Sequence, residues 1–261
     1  VLNEIWINAL LSNPKTHIIN ISSNIANTIL KPLEQLIGSQ LTLGTGAKSK
    51  ALRSEGVRAL RTYIGFREYL ADAIKYMAIA FRKEDTIIGG KGGLTKIDGP
   101  KSIGGGLGSF VRVPTRFLNS ADEFFKQINY RSKLKADAVM DAIRLGKDKN
   151  KIVGSTLKRR PISEFDAHVL EYISSGFDEF DRGINKNAMR YAQESTYTQD
   201  LTGIFGRMQD IVNEYPILRQ IVPFVRTPVN LMLNIVDRTP LGLIRKEVLN
   251  NFLGRNGPEL M

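Results

Sequence analysis

Apolar positions recur at intervals of three and four along most of the chain, the spacing of one helix face, and strict alternation is scarce. The first such run opens at once, with Leu2, Ile5, Trp6, Ala9 and Leu10. Ser12-Asn13-Pro14 then supplies a capping side chain followed by a first-turn proline, which predicts a second helix start. Ile18, Ile21, Ile25, Ile29, Leu33 and Leu36 give that helix one apolar face. Asn20, Asn24, Asn27 and Lys31 fall on another. Pro32 is a candidate kink and Gly38 a candidate end. By the usual rule the apolar stripe meets the core.

A longer pattern follows from about Lys48 to Arg82, with Tyr63, Phe66, Leu70, Ile74, Met77 and Phe81 as its apolar stripe. As one helix it would run on the order of 50 Å at ~1.5 Å per residue. Residues 86–113 break the periodicity, with nine glycines between Gly89 and Gly108, and read as a linker or loop. Ser120-Ala121-Asp122-Glu123 has the capping-box pattern, so a helix is predicted to begin there and reach about Leu145. Ser163 is placed to cap a further helix, and 184–192 and 201–212 are periodic as well. From Pro216 the chain is cut by Pro223, Pro228, Pro240 and Pro258 into short helical pieces. Their apolar stripe of Ile221, Val225, Leu231, Leu233, Ile235, Leu241, Leu243 and Ile244 also reads first as core.

These elements predict an all-α fold in three parts. Residues 1–85 form an N-terminal helical segment, 86–113 a Gly-rich loop, and 114–261 a C-terminal helical segment. A chain that opens at Val1 with a helical pattern already running reads as part of a longer polypeptide.

Composition narrows the chemistry. The chain has no cysteine and two histidines, His17 and His168. Thiolate zinc sites and a cysteine nucleophile are excluded, and histidine-based catalysis has almost nothing to work with. No enzyme activity and no cofactor are expected. Lys and Arg number 37 against 26 Asp and Glu, a formal charge of +11, which suits an anionic partner or the acidic remainder of a parent chain. No run of 18 apolar residues is present to span a bilayer.

Gly44-Thr45-Gly46-Ala47-Lys48-Ser49 lacks the glycine that a phosphate loop needs before its lysine. Glu164, His168 and Glu171 share a helix face, a geometry open to a metal but explained better by an ordinary surface with no second histidine near. Residues 144–160 are basic and 164–181 acidic, and the simplest outcome is that the two blocks pair within the chain. A second basic block offers Lys48, Lys50, Arg53, Arg58 and Arg61 as candidate DNA-facing residues, without the aromatic platform that base stacking requires. Contact there would be blind to base sequence.

One device recurs: an apolar pair, an arginine, then a proline that opens a helix. It appears at Phe110-Val111-Arg112-Val113-Pro114-Thr115-Arg116 and at Phe224-Val225-Arg226-Thr227-Pro228, with Arg238-Thr239-Pro240 as a shorter echo. Arg112, Pro114, Arg116, Asp122, Glu123, Arg226, Pro228, Arg238 and Pro240 are the candidate assembly and helix-entry residues, the arginines as caps or as bridges to a neighbour.

Three blocks carry a resemblance. Asn8-Ala9-Leu10-Leu11-Ser12-Asn13-Pro14-Lys15-Thr16-His17, Arg116-Phe117-Leu118-Asn119-Ser120-Ala121-Asp122-Glu123-Phe124-Phe125 and Val222-Pro223-Phe224-Val225-Arg226-Thr227-Pro228-Val229-Asn230 resemble a region of the internal virion (ejection) proteins of short-tailed bacteriophages. The resemblance implies a structural protein stored in the capsid above the portal and ejected with the genome. It would then help to build a conduit for phage DNA across the host envelope. The partners implied are copies of itself in a ring or tube, other ejection or core proteins, the portal and double-stranded DNA, with the host inner membrane as a further candidate. It transfers no catalytic residue. The alternative is a sequence-independent nucleic-acid-binding accessory region of a large virion-packaged phage enzyme such as an RNA polymerase. In a ring, the Asn face of the second helix would turn toward neighbours or a wet lumen and leave its apolar face for lipid or protein.

Overall fold

Prolines open the two helices on which the architecture turns. In the computed structural model, which describes residues 1–40, 47–88, 103–154, 161–215, 218 and 225–239, α1 (Leu2–Leu11) is followed by α2 (Pro14–Gln40). The Asn13 side chain accepts the Lys15 N–H at 3.0 Å beside Pro14, as the sequence signal requires. α2 passes through Pro32 and Gly38 rather than ending at the glycine. The expected single helix over 48–82 is two, α3 (Ala47–Glu68) and α4 (Leu70–Lys83), broken at Tyr69 with φ −98° and ψ 9°. Glu84, in the left-handed region at φ 58°, ends α4.

The Gly-rich segment is not irregular throughout. α5 (Gly105–Val111) is helical, and Thr86 and Ile88 are buried, while residues 89–102 lie outside the described residues. The helix assigned to a start at Ser120 begins seven residues earlier. α6 (Val113–Arg144) carries Pro114 in its first turn, where a missing N–H costs nothing. The capping-box residues therefore sit inside a helix: the Ser120 hydroxyl donates to the Phe117 carbonyl, and Glu123 is engaged elsewhere.

Beyond α6, β1 (Ile152–Val153) and β2 (Ile162–Ser163) form a two-residue antiparallel ladder. Ser163 caps α7 (Glu164–Ser175) as expected, accepting the Asp166 N–H at 3.0 Å. α8 (Lys186–Ser195), α9 (Gly203–Glu214) and α10 (Arg226–Asp237) complete the described helices. The fold is all-α, the small ladder being the one sheet among the described residues.

α6 is the axis: α1 to α5, α7 and α8 all contact it. Small residues make the closest approach. A Cβ at Gly65 of α3 would stand 2.9 Å from the Cβ and 3.0 Å from the Cα of Ser132 in α6. Ile88, Tyr130, Leu134, Ala188 and Ala192 form one apolar cluster, and Ala138, Val139, Ala142, Phe165 and Val169 a second.

Two glycines separate close packing from mere flexibility. Gly65→Leu is expected to cost about 1–3 kcal/mol through overpacking against Ser132. Gly38→Ala, with open space around its Cβ, is expected to gain about 0.5–1 kcal/mol of helix propensity. Urea unfolding of the two variants beside wild type measures both signs, and equal effects would contradict the α3–α6 seam.

Candidate functional site

The middle of α6 is buried on every side, yet much of it is polar. Asn119, Ser120, Asp122, Glu123, Lys126, Gln127, Asn129 and Ser132 are all at most 5% exposed. Buried polar groups must be paired, so these residues select what packs against them. Asp122 Oδ1 accepts from the amides of Asn20 at 3.0 Å and Asn24 at 3.2 Å. Glu123 accepts the backbone N–H of Ile87 at 2.9 Å, that of Ile88, and the Gln127 amide at 2.7 Å. The Asn129 amide donates to Thr28 Oγ1 at 2.9 Å. Tyr130 donates to the Gly176 carbonyl and accepts the Asn185 N–H at 3.0 Å.

Pairing is complete for Glu123 and incomplete for Asp122. Asp122 Oδ2, Asn24 Oδ1 and Asn129 Oδ1 are buried without a hydrogen-bond partner among the described residues. Burial raises the Asp122 carboxyl above the ordinary carboxylate range, against the lowering influence of Lys126, Asn20 and Asn24. Glu123 is raised by the same cause against Lys126, Gln127 and the two backbone donors.

The contacts of α2 reverse the expected orientation of that helix. Asn20, Asn24, Asn27, Thr28 and Lys31 face inward: the Asn27 amide donates to the Glu194 carbonyl at 3.0 Å, and Lys31 Nζ pairs with Glu194 at 2.6 Å. Ile18, Ile19, Ile25, Ile29, Leu30, Leu33 and Ile37 are instead 40–63% exposed. Of the apolar stripe read as core, Ile18, Ile25, Ile29 and Leu33 are on the outer surface, while Ile21 and Leu36 are half-buried. α3 repeats the pattern: Gly56, Ala59, Thr62 and Gly65 are buried, while Val57, Leu60, Tyr63 and Ile64 are 44–54% exposed. The reason is common to both helices. Where they meet α6 the contact is polar at Asp122 and Asn129 and closely approached at Ser132, so it takes Asn, Thr and Gly in place of Ile or Leu. In the tail Val225 is buried, Ile235 is exposed, and Ile221, Leu241, Leu243 and Ile244 lie outside the described residues.

The candidate arginines serve the interior of the chain. Arg112 Nη1 donates to Glu4 of α1 at 2.7 Å and its Nε to Glu84 at 2.9 Å, and Arg112 also reaches the Ile103 carbonyl at 2.9 Å. Arg116 donates to the Phe81 carbonyl at 2.9 Å and lies 4.4 Å over the Phe81 ring. Arg238 binds Glu34 at 2.9 Å and Asn27 at 3.1 Å. Pro114 and Pro228 sit in the first turns of α6 and α10. The side chain of Arg226, and Pro240, lie outside the described residues. Sequence reading missed Glu4, Glu84, Glu34 and Thr28, which no local motif marks, because their partners are 28 to 204 residues away.

The basic stripe proposed for DNA does not stand open as a unit. Arg58 Nε is 3.1 Å from Asp137 and its Nη1 2.5 Å from Glu55, and the Nε of Arg61 is buried. Arg53 is exposed, and the side chains of Lys48 and Lys50, like Gly44 to Gly46, lie outside the described residues. The opposite-charge blocks meet within the chain at Glu164, 3.6 Å from Lys147 and 3.5 Å from Lys151. His168 lies 2.9 Å from Asp141 rather than converging with Glu164 and Glu171. Among the described residues no group of three or more His, Cys, Asp or Glu is placed to hold a metal ion, and no helix is long and apolar enough to cross a membrane.

A groove of about 520 Å³ opens where α2, α3, α6, α7 and α8 meet, and its acids Asp137, Asp141 and Glu194 are each held in ion pairs. No family model, curated protein or solved structure matches the chain.

The raised carboxyl of Asp122 has a consequence of definite sign. The folded chain holds that proton more tightly than the unfolded chain, whose Asp titrates near ~3.9. The stability it confers is present below that value and is lost as pH rises through the folded one. Asp122→Asn keeps an oxygen for Asn20 and Asn24 and removes the buried charge. In urea unfolding from pH 4 upward, the stability of Asp122→Asn relative to wild type is expected to rise with pH. Asp122→Ala orphans two donors and is expected to cost about 1–3 kcal/mol. A pH-independent difference between Asp122→Asn and wild type would contradict this.

Proposed function

We propose that this chain is a structural, non-catalytic assembly segment of an internal virion (ejection) protein of a short-tailed bacteriophage. It is stored in the capsid above the portal, leaves with the genome, and helps to form a conduit for phage DNA across the host envelope. The observation that carries the assembly part is the orientation of α2. Its polar side is taken up in binding α6 and α8, while an uncharged, apolar side more than three turns long is left outside. Contiguous exposed apolar surface on this scale is the mark of an interaction site rather than of a free-standing domain. The phage context comes from the resemblance of the three sequence blocks, two of which fall on the elements that build the polar axis, the start of α2 and the middle of α6.

The test is made on particles of the phage that encodes the chain. Peptides from residues 1–261 should be found by mass spectrometry in gradient-purified full virions. They should be depleted from the same virions after DNA release is triggered in vitro. Absence from full particles, or retention in emptied shells at the original ratio to portal protein, would overturn the ejection reading.

A further inference from the structure

We infer that the outer face of the α2–α3 layer is covered by the same face of a second copy of this chain. The inference rests on the assembly reading and names the surface through which copies associate. α2 and α3 pack against each other, and both lie on α6, so their faces away from α6 look out on one side of the molecule. Ile18, Ile25, Ile29 and Leu33 run down that side of α2, and Leu60 and Ile64 down that side of α3.

Three properties of this face select its occupant. The first is size. Eleven large apolar side chains on the two helices, each roughly half exposed, present on the order of 900 Å², close to the ~800 Å² per partner of a stable protein interface. The second is charge. From Thr16 to Leu30 the sequence has no Asp, Glu, Lys or Arg, and Lys31 is turned inward to Glu194. Over this stretch the α2 part of the face meets its own copy about a two-fold axis with no like-charge opposition, which an isologous contact requires. The third is the sparseness of cations along α2 among the described residues: Lys15 in its first turn is exposed, and Lys31 is turned inward. Helices that lie on anionic bilayers carry Lys and Arg along the polar side, and here that side holds Asn20, Asn24 and Asn27 and is buried. Arg53 and Arg67 are exposed only toward the two ends of α3. A second copy satisfies all three properties, and a bilayer satisfies the first alone.

The absence of cysteine in the native chain makes the test clean. Ile25→Cys and, separately, Ile64→Cys are placed in the full 261-residue chain and treated with a short bismaleimide at micromolar concentration. Covalent pairs of chains are expected from both variants, and none from Lys149→Cys, an exposed position remote from the face. In sedimentation velocity the wild-type chain is expected to associate reversibly. Ile25→Asp with Leu33→Asp should weaken association by roughly tenfold or more, since each carboxylate would be desolvated in the contact. Because both positions are exposed in the single chain, the helical circular dichroism and melting temperature of the double variant should match wild type. A chain that stays monomeric at tens of micromolar, or an Ile25→Cys whose thiol takes up the reagent without joining two chains, would overturn the inference. So would sedimentation with phosphatidylglycerol vesicles in place of cross-linking. Cross-linked copies of a chain absent from virions would sink the ejection reading and keep this interface. A packaged chain that is monomeric in solution and uncrosslinked would do the reverse.

Discussion

Most helices in a bundle offer a neighbour oil; the central helix here offers hydrogen bonds that must be met. From Leu118 to Asn129 almost every side chain of α6 is buried, and an unpaired polar group in such a place costs about 1–3 kcal/mol. Whatever packs on α6 must therefore bring partners at the right heights. α2 brings Asn20, Asn24 and Thr28; the segment after α4 brings two backbone N–H groups; the turn between α7 and α8 brings the Gly176 carbonyl and the Asn185 N–H. Each tie is directional, so each fixes the rotation and register of its element in a way that apolar contact alone would not.

The orientation of α2 and α3 follows from that requirement. A helix that turns its Asn residues inward must turn its Ile residues outward, because the two share one cylinder. α3 meets α2 at Gly56 and α6 at Gly65, and these close approaches at glycine leave its larger residues on the far side. Apolar burial is thus given up inside the single chain, and the surface left over is coherent: two neighbouring helices expose the same kind of residue on the same side.

The elements themselves were legible in the sequence, because Pro14, Pro114 and the Ser163 cap act within one turn. The break at Tyr69 was not, since no Pro or Gly occupies it. Ser120 to Glu123 misled for an instructive reason: a Ser with a Glu three residues on has the same spelling in a cap and in a buried polar helix. Only the Ile87–Ile88 backbone, more than 30 residues away, tells them apart. The inside-out α2 was legible as a periodicity and illegible as an orientation. The rule that apolar stripes face the core assumes an apolar core, and the polarity of α6 removes that assumption. The candidate arginines were found through their repeated motif, while their acidic partners carry no local signal.

The repeated arginine motif then takes on a physical meaning. Arg112 and Arg116 stand at the start of α6, where α1, α4 and α5 converge. Arg116 donates to the Phe81 carbonyl, which belongs to the last turn of α4 and has no helical partner of its own. Its charge also faces the negative end of that helix. Arg112 draws the Glu84 that ends α4 and the buried Glu4 of α1 onto one guanidinium. Arg238, at the end of α10, reaches Glu34 and Asn27 and so ties that helix to the polar edge of α2. In each place a proline fixes where a helix starts, or an arginine fixes what a helix end touches. The same economy runs through the molecule: polar side chains hold the helices together from within, and among the described residues the outer face of α2 and α3 carries none of these ties.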